Sequence, residues 1–105
     1  MTRSSNASTD DFLRAAEAGE TIAQMQLGLL YSTGQKGAPL DYIAAHKWLN
    51  LAALRGNDEA KRLRKELADV MSREEISEAQ RQAREWVSGQ QRMQPKTESV
   101  FGLTS

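Results

Sequence analysis

Apolar and polar positions divide the chain into five helical stretches, separated by glycines, capping residues and one turn that carries a proline. In the first stretch Phe12, Leu13 and Ala16 share a face. Ser8 or Thr9 is placed to cap it, and Asp10 and Asp11 put negative charge in its opening turn. Gly19 suits the left-handed position that ends it, so a second helix is expected from about Glu20 to Thr33, stopped by Gly34. Along that helix Ala23, Leu27, Leu30 and Tyr31 follow helical spacing and form a core stripe, whereas Ile22, Met25, Leu29 and Ser32 make a separate stripe to one side. Gly28 sits inside this pattern and costs roughly 1 kcal/mol against alanine unless close packing offsets it. An antiparallel neighbour whose backbone lies against Gly28 is the economical explanation. Ala45, Ala52 and Ala53 in the next segment offer the small-residue surface, which predicts a helical hairpin.

The run Gly34-Gln35-Lys36-Gly37-Ala38-Pro39 is a turn that limits where the next helix begins, and Asp41 is its expected cap. From Tyr42 to Arg55 apolar residues are dense: Tyr42, Ala45, Leu49, Ala52 and Ala53 lie on one side, and Ile43, Trp48, Leu51 and Leu54 on the others. A helix apolar on so many faces is covered from more than one direction, which makes it the central helix, ending at Gly56. Asn57 and Asp58 restart a helix with Ala60, Leu63, Leu67, Val70 and Met71 on its buried face. Ser72-Arg73-Glu74-Glu75 has the capping-box form, so a last helix follows, with Ile76, Ala79, Ala83, Trp86 and Val87 inward, up to Gly89. Residues 1–8 read as a flexible N-terminal tail and 90–105 as a flexible C-terminal one, leaving 9–89 as the folded domain.

Composition narrows the function more than the fold. Lysine plus arginine and aspartate plus glutamate number 14 each, so no net field draws nucleic acid or an anionic membrane. The chain holds no cysteine, which removes disulfides, thiolate catalysis and thiolate metal sites and fits a reducing compartment. The first residues have no apolar core of the signal-peptide kind and no stretch approaches a membrane span. The chain therefore reads as cytoplasmic, although a removed leader would leave the same record.

Ala18-Gly19-Glu20-Thr21-Ile22-Ala23 aligns with Arg55-Gly56-Asn57-Asp58-Glu59-Ala60 at a spacing of 37 residues, which suits a helix-pair repeat. The register then decays, Gly28 meeting Lys65, so the segment 57–89 looks like a capping helix pair with a polar outer side. The run Ala15-Ala16-Glu17-Ala18-Gly19-Glu20, then Ala23-Gln24, Leu27-Gly28-Leu29-Leu30-Tyr31, Gly34, Pro39, Asp41-Tyr42, Ala45, Trp48 and Ala52-Ala53 ending at Gly56 resembles the Sel-one-like repeat, a relative of the tetratricopeptide repeat. One full repeat, about 20–56, is covered, with the tail of another before it. The segment Ala60 to Trp86 is similar to the capping helices that close many bacterial members. Departures stand at Ile22, where a polar residue is common, at Met25, where an aromatic is frequent, at Gln26, where asparagine is usual, and in a turn about one residue longer.

The resemblance implies an all-α fold, a short right-handed helical-repeat array (an α-solenoid) of antiparallel helix pairs. It also implies an adaptor or scaffold role, with a partner protein or peptide held on the concave side. Carried over residue by residue, the partner-binding positions are Ile22, Met25, Gln26, Leu29 and Ser32, an apolar face in this chain. Met25 would be the adaptable contact and Gln26 would hydrogen-bond to backbone. The same stripe is open to cover by the preceding helix, by the C-terminal cap or by a second copy, a reading favoured by the shortness of the array, which falls below the three or so repeats that normally bury a core. Self-association would supply the missing repeat.

Catalysis finds little support. His46, the single histidine, has no second histidine or carboxylate at helical spacing and reads as a surface or half-buried helix residue. No serine–lysine, serine–histidine or paired-carboxylate arrangement is present, and the cysteines of those relatives proposed to bind or hydrolyse β-lactam-type compounds are missing. No cofactor and no metal are expected. Trp48 and Trp86 read as packing residues rather than stacking platforms. Lys61-Arg62 and Arg64-Lys65 read as a solvated helix face, diluted by Asp58, Glu59, Glu66 and Asp69. RNA recognition would want a basic concave face, against which Ile22, Met25 and Leu29 argue.

Overall fold

The computed structural model describes the backbone of residues 8–93 and the side chains through Gln90. The fold is all-α: α1 (Thr9–Glu17), α2 (Thr21–Thr33), α3 (Tyr42–Leu54), α4 (Asp58–Ala68) and α5 (Arg73–Met93), with a 3-10 turn at Gln35–Gly37 and no strand among the described residues. Local chemistry sets most of the boundaries. Ser8 caps α1, its hydroxyl accepting from the Asp11 amide while the Asp11 carboxylate accepts from the Ser8 amide. Gly19 (φ 95°) and Gly34 (φ 73°) take the left-handed conformation that closes α1 and α2, and the Gly34 amide donates to Leu30 at 2.7 Å. Asp41 and Asn57 accept from the amides three residues on and so cap α3 and α4. The Ser72–Glu75 capping box closes in both directions at 2.9 and 3.0 Å.

The contacts between α2 and α3 step backwards along one helix as they step forwards along the other. The Asp41 amide donates to the Tyr31 carbonyl, Gly28 faces Ala45 and Leu49, and Arg55 donates to the Gly19 carbonyl. The two helices therefore form a hairpin that closes on Gly28. Small residues alone do not make the fit, because the nearest neighbours of Gly28 are side-chain atoms of Leu49, with the Ala45 carbonyl as the backbone approach.

α3 is the hub. α2, α4 and α5 all pack on it, and two apolar clusters form on its opposite sides. Ala16, Ala23, Leu27, Trp48, Leu51 and Ala83 make the first, joined by Phe12, Leu13, Tyr31, Trp86 and Val87. Ala45, Leu49, Ala52, Ala53, Ala60 and Leu67 make the second, joined by Met25, Tyr31, Tyr42, Leu63 and Met71. Burying Leu27 and Leu49, both almost fully enclosed, contributes about 1.5–3 kcal/mol each.

Three expectations are corrected. α4 stops at Ala68, so Val70 lies in the following turn at 65% exposure rather than on the buried face. α5 continues past Gly89 to Met93, because a glycine inside a helix costs only about 1 kcal/mol and good helix formers follow it. α4 and α5 do not make a helix pair of their own. Both pack on α3, α5 lying across it toward α1, where the Gln90 side chain donates to the Glu17 carbonyl. Residues 1–7 and 94–105, which make up most of both expected tails, lie outside the described residues.

Candidate protein interface

The stripe expected to receive a partner is split by the structure. Ile22 is 58% and Leu29 38% exposed, two helical turns apart on α2, and the exposed Gln26 lies between them. These three form a continuous outward strip, apolar at its ends and amide-bearing in the middle. Met25 does not belong to it. It is half-buried and packs on the cluster of Ala45, Leu49, Ala52 and Ala53, where it closes the joint between α2 and the α3–α4 side. Ser32 is half-buried as well, and its hydroxyl donates to the Leu29 carbonyl at 2.8 Å, so that proton serves the helix itself.

The motif positions support the strip from behind. Ala23, Leu27, Ala45, Trp48 and Ala52 are buried, and Tyr31 and Tyr42 are half-buried against the clusters. Gly56, at φ 95°, follows the Arg55 cap of α3. Pro39 is exposed in the turn, whose Lys36 carbonyl accepts from the Thr9 hydroxyl at 2.9 Å and so ties α1 to the hairpin. Trp48 and Trp86 meet edge to face at 6.0 Å between ring centroids, which fixes α5 on α3.

His46 departs from its reading as a surface or half-buried residue: it is buried, with its Nδ1 unpartnered. Density of cover explains it, since α4 and α5 close over this side of α3. Burial, then the positive Arg64, push its pKa below the ordinary 6.5. Of the basic run, Arg62 pairs with Glu59 and Glu66 in solvent, as a solvated face would. Arg64 turns inward instead and donates to the Asn50 side chain at 2.5 Å.

Gln24 carries a role that sequence reasoning missed. It is fully buried, its Nε2 donating to the Ala16 carbonyl at 3.1 Å, while its Oε1 and the Trp86 Nε1 have no partner. Both residues line a cavity of about 190 Å³ with Leu51, Leu54, Val87 and the rim residues Arg55 and Gln90. The signal in the sequence was a glutamine one turn before Leu27 and Gly28 on the inward side of α2; the cavity itself depends on the course of α5.

Among the described residues no group of three or more histidine, cysteine, aspartate or glutamate side chains is placed to hold a metal ion. No helix there is long and apolar enough to cross a membrane. In comparisons with protein-family models, curated proteins and solved structures, none matches the chain.

Proposed function

We propose that this chain is a non-catalytic protein–protein interaction module of the Sel-one-like repeat kind. In this reading α2 and α3 are one repeat of a short right-handed α-solenoid, and a partner helix or extended peptide lies along Ile22, Gln26 and Leu29. One observation carries it: two large apolar side chains stand exposed at heptad spacing on a helix whose opposite face is fully packed. Exposed apolar residues so aligned fit a helix-in-groove or peptide contact, and Gln26 offers both a donor and an acceptor to a peptide backbone. Met25 acts as the packed support of the strip. The absence of cysteine from all 105 residues fits a reducing compartment such as the cytoplasm.

A second copy of the chain is the competing occupant, favoured by the same exposed strip and by the shortness of the array. Light scattering across a dilution series, on the wild type and on Leu29→Glu, separates the two. A monomeric wild type, together with a variant that keeps its helicity but loses its co-purifying proteins, is the outcome expected for a partner-binding strip. A wild-type dimer that Leu29→Glu converts to a folded monomer replaces it with the self-association reading.

A further inference from the structure

We propose a second binding site: the groove between α3, α4 and α5 that His46, Asn50, Lys61, Arg64, Lys65 and Gln80 line takes an oxyanion, a carboxylate or a phosphate group. The groove is open to solvent and offers about 630 Å³, with Ala68 and Ile76 completing its wall. Every charged group that lines it is cationic, and the remaining polar ones are an imidazole and two amides. None of the carboxylates at positions 58, 59, 66 and 69 lines it. Glu59 and Glu66 are held by Arg62 on the outer face, and Asp69 does not line the wall; Asp58, itself exposed, approaches the Lys61 ammonium at 3.7 Å from outside the groove, a solvent-screened pair that an anion in the groove competes with.

His46 is the second, independent observation. It lines the groove at only 3% exposure, and neither ring nitrogen bonds a described residue; Nδ1 is sealed from solvent, which leaves Nε2 as the nitrogen within reach of a ligand. The groups that face it across the groove are Lys61, Arg64 and Lys65 from α4 and the uncharged Gln80 and Ile76 from α5, with Asn50 one turn along its own helix. An oxyanion seated there accepts from the His46 Nε2–H, from the amide of Gln80 and from the ammonium groups of Lys61 and Lys65. Arg64, already bonded to Asn50, supplies charge from the wall. Cations at positions 61, 64 and 65 of α4, gathered beside a nearly buried imidazole, give an anion more than a diffuse surface field would.

The test titrates full-length protein with inorganic phosphate and, separately, with N-acetyl-tetraglutamate amide, at constant ionic strength, following the His46 ring resonances. Saturation with a dissociation constant of about 1 mM or tighter, and a His46 pKa that rises on binding, is the expected result. Lys61→Gln/Lys65→Gln, at exposed positions, weakens it at least about tenfold, and Arg14→Gln/Lys36→Gln, the same charge change placed far off, leaves it unchanged. Tighter phosphate identifies a phosphate ligand, and tighter peptide an acidic segment. Absence of saturation by either ion, or equal losses in the two double variants, overturns the proposal. Since neither double variant touches Ile22 or Leu29, the outcome is independent of the strip on α2.

Discussion

A β-carbon placed on Gly28 would stand 2.6 Å from Leu49 Cγ and 3.1 Å from the Ala45 carbonyl oxygen. Leu49 is 1% exposed and its branch point, not a free end, is what would be struck, so the side chain has nowhere to swing. Gly28→Ala therefore exchanges a propensity gain of about 1 kcal/mol for an overpacking cost of about 1–3 kcal/mol and destabilises on balance. Gly89→Ala is the mirror experiment. Gly89 is also helical but has no neighbour within 4 Å, so the same change stabilises by about 0.5–1 kcal/mol. Urea midpoints that move in opposite directions for the two variants are the expected result.

The caps give a second contrast. Asp41 and Asn57 each accept from a backbone amide, at 3.0 and 2.7 Å, whereas Glu20, at the same position of α2, makes no side-chain cap bond. Asp41→Ala and Asn57→Ala each lower stability by about 1 kcal/mol, and Glu20→Ala changes it by less than about 0.5 kcal/mol. Chemical denaturation of the three single variants reads this directly.

Local signals in the sequence carried the helices, their caps and the hub position of α3, because each rests on residues within one or two turns: the capping box at Ser72, the glycines at 19 and 34, the apolar density from Tyr42 to Leu54. The candidate strip was half legible. Ile22 and Leu29 are exposed on the side the pattern gave them, and Gln26, named through the family resemblance, lies between them; Met25 and Ser32 are one step round the helix, and whether such flank positions are covered depends on the neighbouring helices. The course of α5 was not legible. Its inward residues Ala79, Ala83 and Trp86 show that it packs, and nothing in their spacing says that the surface is α3 rather than α4. The burial of His46 and the cavity beside Gln24 both follow from that one choice, and both were missed with it.

The edge-to-face pair of Trp48 and Trp86 makes the docking of α5 measurable. Trp48 is 2% exposed, so Trp48→Ala costs about 3–5 kcal/mol, and the half-buried Trp86→Ala costs less. A double-mutant cycle between them gives a coupling of about 0.5–1.5 kcal/mol. The near-UV circular dichroism of Trp86→Ala loses the band that the paired indoles produce while far-UV helicity is retained, because α1 to α4 keep their own contacts.

Stability responds to acid through His46. Burial and the positive charge of Arg64 hold its folded pKa below the 6.5 of the unfolded chain, so between those two values the unfolded state binds the extra proton. Its contribution is complete above about pH 6.5 and is lost as pH falls through the folded value, with a slope of up to one proton per molecule. Thermal midpoints of the wild type accordingly fall on going from pH 7.5 to pH 5.5, above the range in which carboxylates titrate. His46→Gln keeps a polar side chain of similar reach but removes the titration, so it flattens the dependence across that interval. Phosphate has the opposite leverage: by seating an anion opposite the imidazolium it raises the folded pKa, and the acid-side loss of stability shrinks in the wild type and not in His46→Gln.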